Sequence, residues 1–188
     1  MKAPSLHPLA TSTQRGLTLV ELMIALSIAA VLMVGSYYGY SMMYTAKAQN
    51  TVRLLTHAGT CARTSFATGA NFEGVSATVL ADAGCFPEGN VTRDAGGVAT
   101  VTNGYGHAIT VAAVNGPGDS PNTMLSFTVA GPMNRSVCTQ IANGLLPSAS
   151  ALTVGAEEVK TSAGAIARAS IPTGCAEAGN AIVYSVVK

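Results

Sequence analysis

Charge is scarce in this chain of 188 residues: 10% are Asp, Glu, Lys or Arg, where ordinary soluble domains carry about 25%. The formal net charge is +1, so nothing indicates an electrostatic grip on nucleic acid or on an anionic surface. Tryptophan is absent, and three histidines leave little material for metal or acid–base chemistry. No Walker loop, zincin pattern or G-x-S-x-G occurs. No cofactor or metal is indicated, and enzymatic function is not expected. Gly, Ala, Ser, Thr and Val dominate, a composition suited to packing and assembly.

What the chain does have is one long apolar run. Leu22 to Ala46 carries no charged residue. As a helix at about 1.5 Å per residue it extends roughly 37 Å, enough to cross a hydrocarbon core of about 30 Å. Tyr37, Tyr38, Tyr40 and Tyr44 crowd its far end, where amphipathic rings favour the membrane interface. A secretory signal is the competing reading, with Lys2 and Arg15 ahead of the run and Ala46-Lys47-Ala48 as the cleavage site. The run is about twice the usual 7–15 residues of a signal peptide, however. Its one carboxylate, Glu21, also has no place there. An ionised group at the centre of a membrane helix costs about 2.5–3.5 kcal/mol on insertion scales.

The four cysteines, Cys61, Cys85, Cys138 and Cys175, all lie beyond the span. An even number without a C-x-x-C fits two disulfides in an oxidising compartment, or four buried thiols in a cytosolic body. Three pairings are open. Cations flank the span on both sides (Lys2 and Arg15 before it, Lys47, Arg53 and Arg63 after it), so charge does not orient it.

Residues 1–16 are polar, with Pro4 and Pro8 opposing a helix. Helix is expected from Leu17 to Gly69, membrane-spanning over about 17–46 and amphipathic over about 47–69. Val52, Leu55, Ala58, Ala62 and Phe66 there recur every three or four residues. Residues 70–97 read as a loop pinned by Cys85. Val98–Thr102 and His107–Val114 flank the hairpin turn Asn103–Gly106, and a second turn over 115–122 leads to a strand at Thr123–Val129. A short helix opened by Pro132 runs to Asn143. Further strands are expected near Leu152–Val154, Ala165–Ile171 and Asn180–Lys188. A long helix followed by hairpin-linked strands gives an α+β body, 70–188, with an antiparallel sheet. Gly35 and Gly39 form a G-x-x-x-G able to seat a helix contact. Gly118-Asp119-Ser120 echoes a hydrolase nucleophile block without its histidine partner. His57 and Cys61 make at most half a metal site.

Gly16-Leu17-Thr18-Leu19-Val20-Glu21, heading a long apolar helix, resembles the processing and methylation motif of the type IV pilin superfamily. The resemblance implies a prepilin with leader 1–16, cut between Gly16 and Leu17 on the cytoplasmic side and N-methylated at Leu17. It implies the type IV pilin fold, a long membrane-spanning helix packed on an antiparallel sheet with disulfides. It also implies a head held in the periplasm until the subunit joins an extracellular pilus. The partners would be other copies of the chain, the prepilin peptidase and methyltransferase, and the assembly platform, ATPase and secretin. Glu21 would meet the Leu17 amine of a neighbour. Leu17 as first mature residue, the long leader, and the absence of Pro from Leu17 to Phe86 look like type IVb pilins of the PilS-like group. The same resemblance implies disulfides Cys138–Cys175 and Cys61–Cys85. A minor pilin, a secretion pseudopilin, or a membrane-anchored periplasmic binding domain that never polymerises are the alternatives.

Overall fold

Neither proline nor charge interrupts Leu22–Ala46, and helix α1 runs from Leu19 to Ser65. The structure is a computed structural model describing residues 18–131, 133–176 and 180–188. The chain divides into two compact units, residues 1–41 and 42–188, and α1 contributes to both.

In the first unit the apolar side chains of α1 stand exposed, Leu19 and Met33 at 72%. The helix is long and apolar enough to cross a membrane. Ser27 and Ser36 return their hydrogen bonds to the helix, Ser27 Oγ donating to the Ile24 carbonyl (2.8 Å) and Ser36 Oγ to the Met33 carbonyl (2.9 Å). These two hydroxyls then need no water partner, as a lipid environment requires.

In the second unit the continuing helix is one-sided. Ala48, Thr51, Leu55, Ala58 and Ala62 are almost wholly buried at spacings of three and four, a stripe facing the core. Thr51 is satisfied by donating to the Lys47 carbonyl (2.9 Å). The helix stops short of Gly69, because Phe66 is the last side chain of that stripe to reach the core.

The sheet has seven strands: β1 (Val91–Arg93), β2 (Ala99–Thr102), β3 (Ala108–Val114), β4 (Met124–Val129), β5 (Ala151–Val154), β6 (Glu157–Lys160) and β7 (Ile182–Val187). Their order is β1-β2-β3-β4-β7-β5-β6, and every pairing is antiparallel. The last strand of the chain therefore lies inside the sheet. On its core face Val186, Tyr184 and Ile182 stand opposite Leu125, Phe127 and Val129 of β4. All six are nearly inaccessible to solvent. Helix α1 lies directly on this row: a methyl added to Gly59 would sit 3.2 Å from Val186 and 3.3 Å from the Tyr184 hydroxyl. A larger residue at 59 would push helix and sheet apart.

Three short helices complete the unit: α2 (Ala77–Asp82), α3 (Arg135–Leu145) and α4 (Ile171–Gly174). Cys138–Cys175 joins α3 to the end of α4, with 5.7 Å between Cα atoms. Beside it Asn180, 2% exposed, donates from Nδ2 to the carbonyls of Met133 (3.0 Å) and Cys175 (2.8 Å). Its Oδ1 accepts from the Met133 amide (2.7 Å). One buried side chain thus ties the entry of β7 to the approach of α3 and the exit of α4, its own polar atoms satisfied by hydrogen bonds.

The structure departs from the sequence expectations elsewhere as well. Residues 70–97 are not all loop: Ser76 caps α2 by accepting from the Val79 amide (3.3 Å), and β1 and a 3₁₀ turn at Glu88–Asn90 follow. The strand expected over Ala165–Ile171 is reduced to one bridge, Lys160 to Ile166. The segment then coils through Arg168–Ser170 into α4, with Pro172 in its first turn, where proline's fixed φ suits a helix. Strand β6 has no counterpart among the sequence expectations, since only Val159 of Glu157–Lys160 is buried. An edge strand tolerates such charges. Helix α3 starts from an Asn134 cap; Pro132 lies outside the described residues.

Candidate functional site

Glu21 stands in the first turn of α1. Its carboxylate Oε2 accepts from the Thr18 amide (2.9 Å) and the Thr18 hydroxyl (3.0 Å). The Glu21 amide in turn donates to Thr18 Oγ1 (3.3 Å). This is a reciprocal capping box: the first-turn N–H groups have no intrahelical acceptor, and the two side chains supply acceptors. A carboxylate there also suits the positive end of the helix dipole. The T-x-x-E spacing signals this cap, and Thr18 thereby belongs both to the cap and to the processing motif. Gly16 and Leu17, the expected cleavage and methylation positions, lie outside the described residues.

The cysteines pair as Cys61–Cys85 and Cys138–Cys175. Cys61–Cys85 fastens the segment after α2 to α1, with 5.4 Å between Cα atoms. His57, one turn before Cys61, points Nδ1 at the Cys85 carbonyl (3.3 Å). Cys61 and His57 are thus engaged with Cys85, and no group of three or more His, Cys, Asp or Glu side chains suited to a metal occurs among the described residues. Asp119 and Ser120 sit in an exposed turn, Ser120 Oγ donating to the Pro117 carbonyl (3.3 Å).

Tyr44 packs on Tyr105 of the β2–β3 turn, ring centroids 5.9 Å apart. The Tyr105 hydroxyl donates to the Tyr44 carbonyl, and the Lys47 ammonium lies 5.7 Å from the Tyr105 ring centroid, within cation–π reach. Burial raises the Tyr105 hydroxyl above its ordinary pKa of 10.0, Tyr44 adds to the rise, and the Ala48 amide opposes it. The turn itself is held by Asn103, whose Oδ1 accepts from the amides of Tyr105 and His107 (3.0 Å each). Sequence marks this turn but not the helix it touches, because the contact joins residues far apart in the chain.

Comparison with known proteins gives a consistent set of likenesses. The family model described as "Prokaryotic N-terminal methylation motif" matches residues 11–37. The model described as "PilS N terminal" matches residues 43–187. Among solved structures, the type IV b pilin from Salmonella typhi aligns with a TM-score of 0.54 at 20% identity, covering 74% of this chain and 96% of that one. At that identity the likeness is one of fold. No curated protein matches the sequence.

Proposed function

Since the chain belongs to the PilS family of type IV pilins, we propose that it is the structural subunit of a type IVb-like pilus, switched on by one cut. A prepilin peptidase cleaves between Gly16 and Leu17 and methylates the new Leu17 amine. Until then the subunit waits as a single-pass protein of the inner membrane, leader in the cytoplasm and head in the periplasm. After the cut it passes to the assembly platform, driven by the ATPase, and leaves through the secretin.

The observation that carries this reading is Glu21, a carboxylate heading a helix whose apolar side chains stand exposed. Exposed apolar surface of that length needs lipid or other copies of the same helix. Cleavage creates a cation at Leu17, and a methylated amine keeps that charge. In a bundle of helices the Glu21 carboxylate of one subunit pairs with the Leu17 ammonium of the next. At 4 Å such a pair is worth about 1 kcal/mol in water and about 4 kcal/mol at an effective dielectric constant near 20. Leaving either charge unpaired inside the bundle is costly. The apolar helices supply cohesion, and the pair selects the axial step.

The test is to shear surface filaments from cells and measure the intact subunit mass. The expected mass is that of a chain beginning at Leu17, with one added methyl and the hydrogens of two disulfides removed. Recovery of full-length, membrane-bound protein alone would identify a non-polymerising anchored domain instead.

A further inference from the structure

Asn50, Arg53 and His57 follow one another on α1 at three and four residues, and all three are exposed. They border a cleft of about 460 Å³ together with Leu54 from the same helix, Pro87 and Asn90 from the segment after Cys85, and Gly104 of the β2–β3 turn. That volume falls within the ~300–1,000 Å³ of small-molecule sites. The walls are fixed to one another: Cys61–Cys85 joins the helix to the segment carrying Pro87, and Asn90 donates from Nδ2 to the Thr102 carbonyl (2.7 Å).

The hydrogen-bonding capacity left over defines what fits. The Arg53 guanidinium offers a fork of donors; the one ion pair among the described residues is Arg93–Asp82. No acidic side chain lines the cleft. The His57 Nδ1 faces a carbonyl, which only accepts. Nδ1 therefore carries the proton, and in the neutral ring Nε2 is an acceptor. The amide of Asn90 is oriented by Thr102, which leaves its Oδ1 as an acceptor. Asn50 provides both kinds of group, and Leu54 and Pro87 provide apolar surface.

A bare carboxylate answers Arg53 and leaves the two acceptors unmatched. A neutral sugar matches the acceptors and leaves the guanidinium without an anion. A hydroxylated ring bearing a carboxylate does both, and its C–H face suits Leu54 and Pro87. We propose that this cleft binds a carboxylated sugar, with Arg53 forked onto the carboxylate and Asn50, Asn90 and His57 meeting hydroxyls. The proposal does not depend on filament formation.

The experiment uses the full-length chain in detergent micelles, with 3′-sialyllactose, lactose and sodium acetate as probes, read by saturation-transfer NMR and titration. Saturation is expected on the sialic acid protons, and lactose and acetate should each bind about tenfold or more weakly. Arg53→Gln should weaken sialyllactose binding about tenfold or more, since hydrogen bonds to charged groups are the strong ones. Arg53→Lys should recover part of the loss, and Asn50→Ala should weaken binding while leaving acetate unaffected. Both positions are exposed, so the variants are expected to fold, and retention of Cys61–Cys85 checks that. Absence of saturation on sialyllactose, undiminished binding by Arg53→Gln, or equal competition by acetate would each overturn the proposal. If Arg53→Gln keeps sugar binding but loses filaments, Arg53 serves a contact between subunits and the sugar site is likewise refuted.

Discussion

Thr18 and Glu21 cap one another at the start of α1, the threonine amide and hydroxyl both donating to Glu21 Oε2 and the Glu21 amide donating to Thr18 Oγ1. The glutamate therefore has a local structural role in addition to the intersubunit role proposed for it. The proposed cleavage between Gly16 and Leu17 would leave the Thr18 amide intact and would place a cation beside the cap.

The two roles separate by mutation. Thr18→Ala removes the two bonds of the threonine hydroxyl, keeps the amide bond of residue 18 to Glu21 and keeps the charge; loss of an N-cap side chain costs about 1 kcal/mol, and filaments should still form. Glu21→Gln keeps an acceptor oxygen for Thr18 and removes the charge; processed subunit should accumulate in the membrane with filament yield sharply reduced. Sheared-pilus yield set against membrane-bound mature subunit reads the difference. Equal yields for Glu21→Gln and wild type would refute the charge pair.

The disulfides should carry much of the head's stability. Cys61–Cys85 spans 24 residues and Cys138–Cys175 spans 37. Constraining loops of such lengths in the unfolded chain is worth about 3–4 kcal/mol each on the chain-entropy model. Replacing either pair with serines should lower the denaturant midpoint of the head by a corresponding amount, the Cys138–Cys175 pair slightly more. Midpoints within error of wild type would contradict this account.

Gly174 and Asn180 guard the same corner. A methyl at Gly174 would overlap the Val154 carbonyl oxygen, which belongs to strand backbone and cannot turn away. Gly174→Ala should cost roughly 2–3 kcal/mol or more, as overpacking against a rigid wall does. Asn180→Leu forfeits three hydrogen bonds and strands the Met133 amide and carbonyl, with a loss of similar size. Chemical denaturation of both variants checks the pair of numbers.

Alkali should loosen the head. Burial raises the Tyr184 hydroxyl above its ordinary 10.0, against smaller opposing effects of the Ser148 hydrogen bond and of Arg63, and Tyr105 is raised as well. A folded-state pKa above the unfolded one means that the unfolded chain loses its proton first. The stabilisation is therefore complete below about pH 10 and is lost as pH rises through the folded pKa values. Tyr184→Phe should flatten this alkaline limb in urea melts between pH 9 and 11. A limb unchanged in that variant would assign the effect elsewhere.

The elements legible from sequence were those whose signal is local. The hairpin around Asn103–Gly106, the strand ending at Val129 and the helical face of Leu55, Ala58 and Ala62 all follow from turn residues or from period, and the structure has them. β6 escaped because one buried residue, Val159, cannot make a pattern. Residues 165–169 alternate apolar side chains that face solvent, and Ile171 reaches the core from helix α4, so the strand pattern there has no buried face to support it. The reciprocal cap is local too, since T-x-x-E at a helix start carries its signal. The cleft around Arg53 was not readable, since its walls come from three segments joined by a disulfide and a turn.

By itself the sequence determined the pilin class, through a processing motif and an apolar helix whose chemistry is contiguous along the chain. It also determined that the body would be helix and antiparallel sheet. Only the tertiary structure decided that the last strand enters between β4 and β5, that Tyr105 clasps Tyr44, and that Asn180 latches two helices. These depend on which distant residues share a face, and local residue order carries no energy term for that until the chain has closed around its core.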